Sequence, residues 1–197
     1  MRRHPVRIVF ACILGCLLVA GGVVGQERLM AVLEARLATN PRDPAALEDL
    51  GVEYLRRGDY TQAFIQLQKA IAVDAQRGTP FYYLGLVYFE KGLYFKEIEA
   101  YQKAILLLPN FVPAHLNLAH AYLSVGKVPE AIEQYRWVEA RQPGNLPVLY
   151  NLGIVFADLN KPAEARRYLT EYLRLAPEGD PASRKAAEVL AEVGGPS

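Results

Sequence analysis

The chain has 197 residues, enough for one domain or a short array of repeats, and at 52% hydrophobic and 22% charged it is not a disordered polymer. Its 22 Lys and Arg nearly balance 21 Asp and Glu, with both signs interspersed, so no basic stripe invites nucleic acid. The two cysteines, Cys12 and Cys16, share one N-terminal apolar run, so the rest of the chain holds neither a disulfide framework nor a thiolate metal site.

Residues 1–7 are basic, with Arg2, Arg3 and Arg7, and Ile8–Val24 (IVFACILGCLLVAGGVV) is apolar. Polar sequence resumes at Gln26. Charged segment, apolar segment, then small residues is the order of a secretory signal, with Val23 and Gly25 placed for cleavage before Gln26. A retained anchor is the alternative for residues 1–25. Its 17 apolar residues would form a helix of about 25 Å, slightly short of the roughly 30 Å hydrocarbon core. A third reading is lipidation. Ile13-Leu14-Gly15-Cys16 loosely resembles a bacterial lipobox, although LLVAGGVVG follows where a polar tether is usual. In all three cases the arginines favour a cytoplasmic N-terminus. The remainder is then expected across the cytoplasmic membrane, either periplasmic or secreted, or anchored by residues 8–24.

Residues 26–43 read as a capping helix. Leu29, Leu33 and Leu37 stand four apart and Asn40-Pro41 ends the pattern. Past this point the chain is periodic. The run Phe81–Phe89 (FYYLGLVYF) carries no charge, and on its own it could be a buried strand or a buried helix. Its Gly85 has counterparts at Gly51, Ala119 and Gly153, each 34 residues from the next, a period that marks a repeat architecture. With Gly51 as position 8, the units are 44–77, 78–111, 112–145 and 146–179. Position 7 is Leu50, Leu84, Leu118 and Leu152. Position 11 is Tyr54, Tyr88, Tyr122 and Phe156, and position 15 is Gly58, Gly92, Gly126 and Asn160. Position 20 is Ala63, Glu97, Ala131 and Ala165, and position 24 is Leu67, Tyr101, Tyr135 and Leu169. Position 32 is Ala75, Pro109, Pro143 and Pro177.

These residues resemble the tetratricopeptide repeat (TPR) family, over four uninterrupted units. The pattern has physical sense. A small residue at 8 lets two helices approach, and Leu at 7 shares a helix face with the aromatic at 11. Gly or Asn at 15 allows a left-handed cap. Pro at 32 stands where the second helix must stop. The resemblance implies an all-α, right-handed solenoid of helix–turn–helix units, each burying its apolar face on its neighbours. Residues 180–197 complete it as a C-terminal capping helix and tail. Asp180-Pro181 is the expected N-cap pair, with Ala186, Leu190 and Val193 on the inner face. Glu97 breaks the pattern. Its helix rotates or splays, or it finds a partner, or it reaches solvent at an edge; the last is the expected fate of a carboxylate.

Little in the sequence suggests chemistry. His115 and His120 lie five apart, share a helix face poorly and have no third ligand at useful spacing. The glycines are dispersed rather than gathered into a phosphate loop, and no Ser stands in a hydrolase motif. No enzyme activity, cofactor or metal is expected. Of 12 tyrosines, Tyr54, Tyr60, Tyr88, Tyr94, Tyr101, Tyr122, Tyr135 and Tyr172 occupy repeat packing positions.

The resemblance further implies that the first helix of each unit lines a concave groove, where positions 2, 5, 6, 9, 12 and 13 meet ligand. Those positions hold Tyr82, Tyr83, Leu86 and Phe89 in the second unit. They hold Leu116, Asn117, His120 and Leu123 in the third, and Tyr150, Asn151 and Ile154 in the fourth. Asn117 and Asn151 match family residues that hydrogen-bond an extended peptide backbone. The Lys/Arg clamp with which some relatives grip a C-terminal carboxylate is absent: Ala45, Thr79, Pro113, Pro147, Glu48 and Tyr82 stand there. The expected function is therefore a scaffold that binds a partner peptide or helix, in an envelope assembly process by family analogy. The alternative is a structural protein whose groove is filled by residues 26–38 or by a second copy. Nucleic acid is not expected as a partner, and a membrane only through an uncleaved N-terminus.

Overall fold

The computed structural model describes residues 22–194. Most of the apolar N-terminal run, with Cys16, therefore lies outside the described residues, as does the choice among its three readings. The described residues form ten α-helices: α1 (Gly22–Thr39), α2 (Pro44–Arg56), α3 (Tyr60–Val73), α4 (Thr79–Glu90), α5 (Tyr94–Leu107), α6 (Val112–Ser124), α7 (Val128–Arg141), α8 (Leu146–Asp158), α9 (Pro162–Leu175) and α10 (Ser183–Gly194). No helix among the described residues is long and apolar enough to cross a membrane.

The period of the sequence is the period of the helices. The second helices of the hairpins start at Tyr60, Tyr94, Val128 and Pro162, 34 residues apart. Each of the first helices α2, α4, α6 and α8 ends two residues before a residue in the left-handed region: Gly58 (φ 75°), Gly92 (φ 68°), Gly126 (φ 77°) and Asn160 (φ 54°). The left-handed cap costs least at Gly or Asn, the residues that occupy position 15 in all four units. Prolines stand in the first turns of α2, α4, α6, α7, α8 and α9, where the missing N–H has no helical partner to lose. Side-chain caps add to this. Asp43 accepts from the Ala45 and Ala46 amides at 3.0 and 3.1 Å, and Asn145 accepts from the Val148 amide at 3.2 Å.

The hairpins pair α2 with α3, α4 with α5, α6 with α7 and α8 with α9, and each hairpin packs on the next. Their centres are built from position 8 against position 24: a Cβ on Gly51 would stand 2.8 Å from Leu67, and one on Gly153 would stand 2.5 Å from Leu169. Ala63, Ala131 and Ala165, all without solvent exposure, close the same contact one turn earlier. Each fully buried Leu here contributes about 1.5–3 kcal/mol of hydrophobic stabilisation.

The ends of the stack are sealed as a solenoid requires. Leu33, Met30 and Leu37 of α1 pack on Ala46, Leu50 and Tyr54 of α2. At the other end, α10 packs on α9 and α8 through Ala186 and Val189, with Leu190 and Val193 half-buried beside them. Two details differ from expectation. Helix α10 starts at Ser183, not after Asp180. The Asp180 carboxylate instead holds the preceding turn, accepting from the Ala182 amide at 3.1 Å, the Ser183 hydroxyl at 3.0 Å and the Tyr172 hydroxyl. Val189, which the spacing did not single out, is the more buried partner of Ala186.

Glu97 does not reach solvent. It is 3% exposed in α5, and its Oε2 has no hydrogen-bond partner. The position belongs to the hairpin interface whatever residue occupies it, so the carboxyl is carried inside with the backbone. Burial raises its pKa to about 8, and at neutral pH it is held as the neutral acid. The tyrosines also need one correction each way. Tyr94 is 45% exposed rather than packed. Tyr168, which the repeat pattern did not claim, is buried, stacks on Phe156 and donates to Glu139 Oε2 at 3.0 Å.

Candidate protein-binding face

Helices α4, α6 and α8 present one continuous face, and polar contacts run along it from each first helix to the next. The Asn117 amide of α6 donates to the Tyr82 hydroxyl of α4 at 3.4 Å and to the Tyr101 hydroxyl of α5 at 3.5 Å. The Asn151 amide of α8 reaches His120 Nε2 of α6 at 3.2 Å and the Pro147 carbonyl at 2.8 Å. The second contact fixes the amide's orientation: Nδ2 must donate to a carbonyl. His120 Nε2 then accepts, which makes the ring a neutral tautomer with its proton on Nδ1. Burial lowers the His120 pKa to about 4, in agreement with that assignment. Asn151 Oδ1 is left to accept.

Around these polar anchors lie half-buried apolar side chains. Tyr82, Leu86, Leu123, Tyr150 and Ile154 pack against the core from its rim, and Tyr83 does the same over the second hairpin. Phe89 is half-buried one turn beyond Leu86. Tyr82 is set edge-on between Tyr83, at 5.2 Å between ring centroids, and Phe111, at 5.0 Å. Burial raises the pKa of both Tyr82 and Tyr83, so the cluster is uncharged at physiological pH.

The sequence-selected residues thus divide. Ten of them, Tyr82, Tyr83, Leu86, Phe89, Asn117, His120, Leu123, Tyr150, Asn151 and Ile154, are half-buried on this face. Leu116 is 7% exposed and belongs to the core, because position 5 of the third unit turns under its neighbours. Sequence reasoning missed Phe111, the last residue of the second unit, which covers one side of Tyr82. Tyr135 is a core residue, as its repeat position implied, but its hydroxyl is buried with no hydrogen-bond partner.

His115 lies elsewhere. It is buried between α6 and α7, stacked on Trp137 at 3.4 Å, with Nδ1 at 2.8 Å from Gln134 Oε1 and Nε2 at 3.0 Å from the Pro109 carbonyl. Arg141 covers the far face of Trp137, 3.7 Å from the ring centroid. The two histidines therefore serve different interfaces. Among the described residues no group of three or more His, Cys, Asp or Glu stands ready for a metal. The concave face is not closed by α1, which packs on α2 at the end of the stack; the inward folding of residues 26–38 is not what the structure shows.

Comparison with known proteins bears on both fold and family. A profile of the tetratricopeptide repeat matches residues 25–80 and 116–192. The chain is similar to the crystal structure of MamA, with 24% identity and a TM-score of 0.69 over 81% of this chain and 89% of that one. It is also similar to YrrB, described as a TPR protein with an unusual peptide-binding site, with 23% identity and a TM-score of 0.70 over 85% and 86% of the two chains. A third likeness is to a chain of the Cut9–Hcn1 hetero-tetramer of APC/C, with 19% identity and a TM-score of 0.72, over 85% of this chain and 33% of that one. At these identities the likeness is one of fold. No curated protein matches the chain. The profile match spans most of the chain, running from α1 to the start of α4 and from α6 into α10, and the helices repeat at the family's period; the chain belongs to the tetratricopeptide repeat family.

Proposed function

We propose that this protein is a non-enzymatic scaffold that binds an extended segment or helix of a partner protein along α4, α6 and α8, in an assembly process of the cell envelope. TPR proteins are in general protein-interaction scaffolds, and YrrB carries a peptide-binding site by its description. The observation that carries the reading is the composition of the face. Six large apolar side chains, Tyr82, Leu86, Phe89, Leu123, Tyr150 and Ile154, stay half-open beside Asn117 and Asn151, whose amide groups are already oriented by neighbours. Aromatic and aliphatic anchors beside fixed polar groups are the usual make-up of a peptide site. The location follows from the N-terminal sequence. Arginines followed by an apolar run support export, with residues 26–197 in the periplasm or held at the membrane by residues 8–24.

The test is affinity capture from membrane and periplasmic fractions with the tagged full-length protein and its Tyr82→Ala/Phe89→Ala variant. The proposal expects a partner recovered by the first and lost from the second, with circular dichroism of the variant unchanged. Equal recovery by both proteins overturns it.

A further inference from the structure

The binding face has a built pocket at its C-terminal end. A cavity of about 110 Å³ opens between α6 and α8, walled by Leu123, Val128, Ile154 and Val155, with Asn151 and Asp158 as its polar side chains. Its small volume and mostly apolar lining suit an aliphatic side chain.

Asp158 stands exposed at this pocket and makes no ion pair within 4 Å among the described residues. The cation that influences it, Lys185 of α10, lies with Glu188 at 3.7 Å. The apolar wall raises the Asp158 pKa, the direction expected of a carboxylate that lacks a close cation. Asp49 of α2 and Glu90 of α4 are also exposed and outside any ion pair among the described residues, although Arg36 and Arg77 both act on Asp49 and Glu90 accepts from the Tyr60 hydroxyl at 2.9 Å. Glu48 is neutralised by Arg77, whose Nε and Nη2 reach its Oε2 at 3.0 and 2.7 Å. The one cation among the first-helix groove positions, Arg56, lies 3.8 Å from Glu53, a carboxylate that Arg57 approaches more closely at 3.1 Å, and His120 is uncharged. The face is therefore an apolar row with an unpaired carboxylate, Asp158, at its C-terminal end and charges of both signs at the other.

Resting on the function proposed above, we infer that the partner segment is basic and aliphatic: a Leu, Ile, Val or Met side chain fills the Leu123–Ile154 pocket, and a neighbouring Lys or Arg pairs with Asp158. An acidic residue beside the pocket does not fit, because it would bring like charges together.

The experiment uses the full-length protein in detergent micelles, immobilised and panned with a random dodecapeptide phage library. A recovered peptide is then measured by fluorescence polarisation. The inference expects recovered sequences that place Lys or Arg within four residues of an aliphatic residue. It expects Asp158→Asn to weaken binding about threefold to fivefold at low salt, the range of a rim ion pair, and less at high salt. Replacing the peptide's Lys by Gln should then cost the Asp158→Asn protein nothing more. Peptides that are acidic or indifferent to charge, with binding still lost in Tyr82→Ala/Phe89→Ala, overturn this inference and leave the groove reading standing. Recovery of no peptide whose binding depends on Tyr82 and Phe89 overturns both.

Discussion

A Cβ placed on Gly85 would stand 2.3 Å from Tyr101 Cε1 and 2.6 Å from Cδ1. The bare backbone of α4 is thus the seat of the Tyr101 ring, and through it the seat of the groove, since the Tyr101 hydroxyl meets Asn117. The third unit solves the same contact differently, with Ala119 opposite Tyr135 and both buried. Gly85→Ala is expected to destabilise the protein by roughly 1–3 kcal/mol through overpacking, although alanine is the better helix former. Thermal unfolding of the variant checks this. An unchanged or raised midpoint would mean that the ring has room to move.

Glu97 yields a prediction with a definite sign. Its folded pKa of about 8 lies above the model-compound value of 4.5, so the folded chain holds a proton that the unfolded chain has released across that window. Stability is then undiminished by this group below about pH 4.5 and declines as pH rises toward 8, by on the order of 4 kcal/mol in all. Glu97→Ala restores the residue found in the other three units and should raise stability at pH 8 while changing it little at pH 4. Urea unfolding at both pH values measures the difference. Equal gains at the two pH values would place the carboxylate in solvent.

His120 acts in the opposite arm. Its folded pKa of about 4 lies below 6.5, so the unfolded chain takes up a proton that the folded chain refuses. Its contribution is complete above pH 6.5 and is lost as pH falls toward 4. His120→Asn should flatten the acid limb of the stability curve between those values and leave the alkaline limb set by Glu97. A limb of unchanged slope would assign acid sensitivity to other groups.

The repeat period, the left-handed residues and the position-8 approach were all legible in the sequence, because each is a local requirement repeated four times and so reinforced by comparison between units. Leu116 and Glu97 were not. Position 5 lies near the border between a helix's inner and outer stripes, buried at Glu48 and Leu116 and half-open at Tyr82 and Tyr150, whereas position 20 is buried in every unit. Residue type predicts solvent for Glu97, while the interface geometry set by Ala63, Ala131 and Ala165 places it inside. The ten residues of the face followed from family position. The hydrogen bond from Asn151 to His120 joins α8 to α6 and could not be read from either helix alone.

The structure also sets apart two kinds of exposed apolar residue. Phe95 and Leu106 of α5 are 72% and 69% exposed, three turns apart on the outer side of the stack. Leu86 and Ile154 are half-buried on α4 and α8. Which of these surfaces meets the partner is the central question. Photocrosslinking in the native cell, with a benzophenone amino acid introduced in turn at positions 86, 154, 95 and 106, answers it most directly. The account predicts one adduct of the same mass from positions 86 and 154, and none from 95 or 106. Adducts from 95 and 106 alone would contradict it and move the binding surface to the outer face of α5.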